Sequence, residues 1–241
     1  MKLSVTIITL NEEKDLSRCL ESVKNFADEI ILVDSGSSDK TLEIAKKFGC
    51  KVYTRKFDNF ASQKNFAAEK ATGEWILSID ADEQITPGLL EEIKIAIIDE
   101  NYSGYSIPRK NIILGKFIKH TRWQPELDRH IWLWQKGKGK WAGNVHEELL
   151  VDGKIGKLKN PKIHYQYESV TEFLQMMNKY SRLEVRKRFS FARLIWDPFY
   201  NFVVRYFYRL GFLDGREGFV LSYLMAIYHL EVWVKAWEKN R

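Results

Sequence analysis

The stretch Glu29-Ile30-Ile31-Leu32-Val33-Asp34-Ser35-Gly36-Ser37-Ser38-Asp39 decides the fold. Glu29–Val33 runs apolar after its first residue, as a strand covered on both faces does, and it stops at a carboxylate, Asp34. The chain then turns through Gly36 and small residues, and Asp39 is placed to cap a helix. The same unit repeats outward on both sides. Upstream, Leu3–Leu10 is a β-branched run ending in Thr9-Leu10-Asn11, where Asn11 is placed to cap a helix through about Val23. Downstream come a short strand at Lys51–Thr54, a helix from Asn59 to Ala71, and a strand at Trp75–Ile79 that ends on Asp80-Ala81-Asp82. Thr86-Pro87 opens a further helix through about Ile98, with proline at the favoured first position.

Strand and helix in alternation imply a parallel sheet with helices on both faces. Ligands of such sheets bind beyond the carboxyl ends of the strands. Asn11, Asp34 and Asp80/Asp82 each follow a different hydrophobic strand at that end, so three strands agree on one site. After Asn101 the alternation gives way to short strands, Gly104–Pro108, Asn111–Lys119 and Ile131–Trp134, separated by Gly, Lys and Asn turns. This is the pattern of a mixed β region that completes the sheet and holds an acceptor. From Ser169 the pattern is helical again. The expected organisation is a catalytic domain over 1–168, with nucleotide binding in 1–100 and the acceptor side in 101–168, and a helical region over 169–241.

The hydrophobic share of 45% in 241 residues is ordinary for a globular chain and allows a sizeable core. Leu3–Leu10 lacks a basic leader and a small-residue cleavage site, so no signal peptide is expected. Cys19 and Cys50 have no metal-type spacing and read as reduced cytosolic thiols. The net charge of +6 is uneven: Lys179 to Arg193 holds six basic residues against one acid. Such a run favours phosphates, nucleic acid or a lipid surface.

Two carboxylates at a strand end, Asp80 and Asp82, suit Mg²⁺ or Mn²⁺, with a nucleotide diphosphate and water filling the remaining positions. The motif alone is common by chance, and two solvated loop carboxylates would look the same; its place after a hydrophobic strand raises its weight. Asp34, at the edge of the sheet, can accept the N–H of a uracil ring, and the turn at Gly36 lets a base or ribose approach the main chain. Lys64, in Gln63-Lys64-Asn65, is a candidate for a base carbonyl or a phosphate, although an exposed helix lysine is the commoner case.

Four blocks together resemble family 2 glycosyltransferases of the GT-A fold. They are Ser4-Val5-Thr6-Ile7-Ile8-Thr9-Leu10-Asn11-Glu12-Glu13, Val33-Asp34-Ser35-Gly36-Ser37-Ser38-Asp39-Lys40-Thr41, Gln63-Lys64-Asn65 and Asp80-Ala81-Asp82-Glu83, in the order and spacing of that family. Further on, Trp141-Ala142-Gly143-Asn144-Val145-His146-Glu147 and Gly211-Phe212-Leu213-Asp214-Gly215-Arg216-Glu217-Gly218-Phe219 resemble the subgroup that adds glucose to the lipopolysaccharide inner core. The chain departs from that subgroup at Ile131-Trp132-Leu133-Trp134, where the subgroup carries an Arg-Leu-Phe strand. The resemblance implies an α/β fold of the nucleotide-diphospho-sugar transferase type with a Rossmann-like domain, and inverting transfer from a UDP-sugar with Mg²⁺ or Mn²⁺. It implies a donor site made by Thr9, Asn11, Glu13, Asp34, Gly36, Ser37, Lys64, Asp80 and Ala81. Asp80, Asp82 and Gln84 would hold the metal. The role of Gln84 follows the likeness of Asp80–Gln84 to polyprenyl-phosphate sugar transferases, the alternative reading of the function.

Inversion is one displacement, so a side chain must take the acceptor proton, and a carboxylate is the usual group. Glu126, Asp128, Glu147 and Glu148 are candidates. Glu147 is favoured, with Asp128 second; His146 would orient Glu147 or add a metal ligand. The C-terminal region carries apolar stripes, Val170 to Met177 and Phe199 to Leu210, beside its basic run. A helix is expected to start at Asp197-Pro198 and end at Gly211, and the run Phe219–Tyr228 is too short to span a bilayer. Two readings fit: an amphipathic attachment to the inner face of the cell membrane, or helices packed on the domain. The first is favoured, with a lipid-linked or lipopolysaccharide-core acceptor. A nucleotidyltransferase would show a glycine-rich basic loop after the first strand, where Thr9-Leu10-Asn11-Glu12-Glu13 is acidic. No nucleic-acid-binding motif is present, so a nucleic-acid partner is not expected. A non-catalytic sugar-binding or membrane adaptor is the remaining rival.

Overall fold

The structure is a computed structural model and describes residues 2–143, 147–184 and 189–241. The chain divides into two compact units, Met1–Arg109 with Arg129–His164, and Lys110–Asp128 with Tyr165–Arg241.

The first unit begins with the alternation read above: β1 (Leu3–Thr9), α1 (Leu16–Glu21), β2 (Glu29–Asp34), α2 (Thr41–Lys47), β3 (Lys51–Thr54), α3 (Phe60–Lys70), β4 (Trp75–Asp80), a short β5 (Glu83–Ile85) and α4 (Pro87–Ala96). β2 is buried from Ile30 to Asp34 and lies parallel between β1 and β3, while β4 lies parallel on the other side of β1. The later strands are β6 (Gly104–Ile113), β7 (Lys116–Phe117), β8 (Arg129–Gln135), β9 (Gly139–Ala142), β10 (Glu148–Val151), β11 (Ile155–Lys157) and β12 (Lys162–Tyr165). β8 is antiparallel to β4 and β6, which turns the parallel sheet into a mixed one ordered β3-β2-β1-β4-β8-β6-β12-β5. β9 and β10 form a separate antiparallel pair. The core of this unit is the run Val5, Ile7, Ile31, Leu32, Leu77 and Leu133 across neighbouring strands, closed by Leu16, Leu20, Leu89 and Ile93 from the helices.

The amino-terminal edge of the parallel strands is stapled by Glu29. Its carboxylate accepts from Ser4 Oγ (2.5 Å), Thr72 N (2.5 Å), Thr72 Oγ1 (2.8 Å) and Lys51 Nζ (2.5 Å). Burial opposes its charge, but the Lys51, Ser4 and Thr72 bonds outweigh burial and hold Glu29 at about 2. Since the folded value lies below the ordinary one, the contribution is present above about pH 4.5 and lost as pH falls toward 2. Glu29→Gln is therefore expected to lose about 2 kcal/mol of stability at pH 7, measured by urea unfolding, with the gap to wild type closing across that acid window.

Several local expectations are corrected. The helix expected from Asn11 to Val23 is only Leu16–Glu21, because Asn11 adopts φ 57° and spends its side chain across the loop. Asp39 does not cap α2; its carboxylate bonds Thr41 N and Oγ1, and Lys40 occupies the cap position. The two strands expected at Gly104–Pro108 and Asn111–Lys119 are one long strand, β6, folding back into β7 through Leu114 (φ 52°) and Gly115 (φ 76°). Two positive φ values in a two-residue loop match the twist of a hairpin.

In the second unit α5 (Val170–Leu183), α6 (Phe191–Val203) and α7 (Gly215–Lys239) accompany the β6–β7 hairpin. Their core is Ile113, Ile118, Phe173, Met177, Leu221, Leu224, Tyr228 and Val232. α6 starts at the Ser190 cap rather than at Asp197-Pro198; Pro198 sits inside it, and a π turn over Val204–Tyr208 follows. α7 is much longer than the run Phe219–Tyr228. The reason for Gly211-Phe212-Leu213-Asp214-Gly215-Arg216-Glu217-Gly218 lies here. A Cβ on Gly218 would fall 1.9 Å from the Gly211 carbonyl oxygen, so α7 leaves that turn only with glycine. Asp214, 4% exposed, accepts from Lys119 N and His120 N and pairs with His120 Nδ1 (3.0 Å), tying the turn to the residues after β7.

Candidate active site

At the carboxyl ends of β1 and β2 two loops are laced together. Asn11 N donates to Ser37 Oγ (2.8 Å), Ser38 N to Asn11 Oδ1 (2.9 Å), Glu13 N to Asp39 Oδ2 (3.0 Å) and Lys40 N to Glu13 Oε2 (3.0 Å). Asp34, 1% exposed, anchors this rim. Gly36 N (2.8 Å) and Ser37 N (2.9 Å) donate to its Oδ2, and Ser37 Oγ (2.5 Å) and Thr9 Oγ1 (3.3 Å) to its Oδ1. Gly36 takes φ 104°, which lets the turn double back over the carboxylate.

Gln63-Lys64-Asn65, on one turn of α3, serves three neighbours. Gln63 Nε2 donates to Ser35 Oγ and to the Arg55 carbonyl, both at 2.9 Å. Asn65 and Trp141 exchange two bonds of 2.9 Å, which fixes β9. Lys64 is buried, against the ordinary expectation for a helix lysine. Its Nζ lies 3.2 Å from Asp80 Oδ1 and 2.9 Å from Glu147 Oε1, with the Trp132 and Trp141 rings at 5.0 and 4.7 Å. Burial works against its charge, yet Asp80 and Glu147 raise its pKa above the usual lysine value. Asp80 is likewise held ionised: burial raises it, and Lys64, then Lys162, Arg109 and His164, pull it below the usual carboxylate range.

Behind the two aspartates runs a charged network that sequence reading missed. Glu83, fully buried, accepts the Asp80 N–H (2.9 Å), pairs with Lys162 Nζ (2.5 Å) and lies 3.3 Å from Arg109 Nε. Lys162 rests 3.3 Å from the Trp132 ring centre; burial brings it down to about 8 despite Glu83. His164 Nε2 stands 3.2 Å from Asp82 Oδ2. Lys162 and His164 alternate on one face of β12, and the pairing of β12 with β5, which the sequence does not mark, brings them behind the aspartates.

The other oxygen of Asp82, Oδ1, is buried with no hydrogen-bond partner among the described residues. Around it Glu12 is pushed up to about 8 by burial and by the charges of Asp82, Asp15, Asp80 and Asp39. An orphaned carboxylate oxygen in so acidic a mouth fits a divalent cation, which would take up the excess negative charge. Among the described residues no group of three His, Cys, Asp or Glu side chains forms a metal cage. A metal here would lean on few protein oxygens and on its ligand's phosphates. Ala81 has its side chain in the core, and Gln84 sits on β5 opposite Ile163. His146 lies outside the described residues. Asp128 belongs to the second unit, where Asn111 Nδ2 donates to its Oδ2 (2.7 Å).

A parallel sheet continued by antiparallel strands, with paired carboxylates at the end of β4 and a laced rim beside them, defines a nucleotide-sugar-transferase fold. The model of glycosyl transferase family 2 matches residues 4–154, and the chain belongs to that family; it is a glycosyltransferase with the GT-A fold. A glycosyltransferase of Rickettsia typhi is 32% identical over 93% of this chain and 83% of its own length. The lipopolysaccharide core biosynthesis glycosyltransferase LpsC of Rhizobium meliloti is 29% identical over 100% of this chain and 93% of its own length. Among solved structures, S. aureus TarS 1-349 superposes with a TM-score of 0.49 at 18% identity, covering 97% of this chain and 81% of that one.

Proposed function

We propose that the protein transfers a hexose, with glucose the expected one, from a UDP-sugar to a lipid-linked or lipopolysaccharide-core acceptor with inversion, at the inner face of the cell membrane. The observation that carries the reading is the meeting of Asp80, Lys64 and Glu147, with Asp82, two residues on, bearing a buried oxygen that has no partner among the described residues. The likeness to LpsC supports the acceptor class.

In this reading the rim of Thr9, Asn11, Glu13, Asp34, Gly36 and Ser37 receives the nucleoside, with the uracil N–H replacing the Ser37 hydroxyl on Asp34 Oδ1. Asp80 and Asp82, with Gln84 alongside, hold Mg²⁺ or Mn²⁺, which when bound neutralises charge on the diphosphate. Lys64 keeps Asp80 ionised and, by also pairing with Glu147, aims both carboxylates at one space. Glu147 accepts the acceptor hydroxyl proton as that oxygen attacks the anomeric carbon. As the new bond forms, the bond from the anomeric carbon to UDP breaks and UDP leaves, while Trp132 and Trp141 wall the space and keep water from the sugar in transit.

The test is incubation of the purified protein with UDP-glucose, Mn²⁺ and isolated core oligosaccharide or membrane lipid. The expected product is one hexose heavier, with a β linkage by anomeric proton coupling. Hydrolysis of the donor without acceptor gain, or an α linkage, would overturn the reading.

A further inference from the structure

Within the second unit, α6 and α7 bear an apolar surface that the core does not use. α6 buries none of its residues, and Phe191, Ile195, Trp196, Phe199 and Tyr200 are 55% to 67% exposed. α7 is apolar on two sides. One stripe, Leu221, Leu224, Met225, Tyr228, Val232 and Ala236, is buried. The other, Phe219, Tyr223, Ile227, Leu230, Val234 and Trp237, repeats at steps of three and four and is exposed. By length and composition Gly211–Lys239 suffices to cross a bilayer, but half of its most apolar window is buried in the unit. The two helices join into one surface through Phe202, which meets Phe219 at 5.7 Å and Tyr223 at 6.3 Å, and through Tyr206, which meets Phe219 at 5.5 Å. A contiguous apolar surface of this extent marks a contact with another phase or partner.

Charge decides which. The second unit holds 16 Lys and Arg against 10 Asp and Glu, the chain's entire +6. Three of the acids on these helices are engaged, Asp197 accepting from Trp233 Nε1, Glu217 pairing with Lys116 and Glu231 with Lys235, while Glu238 is exposed on the last turn of α7. Arg193, Arg216, Lys239 and Arg241 are exposed on these helices and at the end of α7. Two copies docked on this face would bring like charge to like charge, whereas an anionic surface would complement it. Trp and Tyr rings bordered by basic residues suit the boundary between headgroups and acyl chains.

We infer that α6 and the exposed stripe of α7 seat the protein on an anionic bilayer, lying in the interface rather than spanning it. The inference gives the lipid-linked-acceptor reading its partner and rests on that reading for its purpose. The test is flotation of the full chain with vesicles of phosphatidylcholine alone or with about 30 mol% phosphatidylglycerol. Wild type is expected to partition at least about tenfold more strongly to the anionic vesicles, and less as salt rises. The double variant Trp196→Glu/Ile227→Glu, at exposed positions, is expected to lose at least about tenfold of that binding while its UDP affinity stays unchanged. Arg193→Glu/Arg216→Glu is expected to lose the preference for anionic lipid. Unchanged partition in the Trp196/Ile227 variant overturns the inference, as does a wild type that ignores both vesicles. Vesicle binding without UDP binding would leave the face standing and remove the donor reading.

Discussion

Glu147→Gln is expected to lower transfer by about 10²–10⁴-fold while leaving UDP affinity within about threefold of wild type. The glutamine keeps the size of the side chain and can still meet Lys64, but it cannot take a proton. Lys64 keeps its second partner, Asp80 at 3.2 Å, so the variant removes one carboxylate without leaving a buried lysine alone. The separation is the informative part: kcat falls and donor binding does not. A phosphate acceptor, as in the polyprenyl-phosphate alternative, arrives ionised and needs no base. Wild-type turnover in Glu147→Gln would therefore point to that acceptor, or to Asp128 as the base.

Asp82→Ala is expected to lower transfer by at least about 10³-fold, ~4 kcal/mol of transition-state stabilisation, at every concentration of Mg²⁺ or Mn²⁺ tested. Its loss takes away the buried oxygen that has no partner among the described residues, and it leaves His164 without that neighbour. Folding should survive, because the substitution removes negative charge near Glu12. A steady-state assay with a metal titration reads the effect, and thermal melting shows whether the variant is folded. Turnover that returns to wild type with added metal would mean that Asp82 only tunes affinity, and activity without any metal would remove its proposed role.

The parallel half of the fold was legible because each strand announces itself twice, by an unbroken apolar run and by the polar group that ends it. Asp34 and Asp80 both close strands in the way the sequence pattern requires. What was not legible depends on long-range pairing. Nothing local marks Lys162 as the buried partner of Glu83, 79 residues away, or joins Asn65 to Trp141. Asn11 reads as a cap because asparagine commonly is one, but the loop from β2 offers it a better bond and the helix starts later. In α6, Pro198 reads as a helix start although the helix runs through it; the Ser190 cap upstream was the signal to weigh. The departure at Ile131-Trp132-Leu133-Trp134 now has a physical content. In that strand Trp132 gathers three cations, and Lys64, Arg109 and Lys162 all lie within 5.0 Å of its ring centre.

The most direct measurement of the central claim is calorimetric titration of UDP into the 241-residue chain, with and without Mn²⁺, beside Asp82→Ala. A nucleotide-diphosphate site at the ends of β1, β2 and β4 predicts binding that requires Mn²⁺ in wild type and is lost in the variant. UDP that binds neither with nor without metal, or binds equally well to Asp82→Ala, would contradict it.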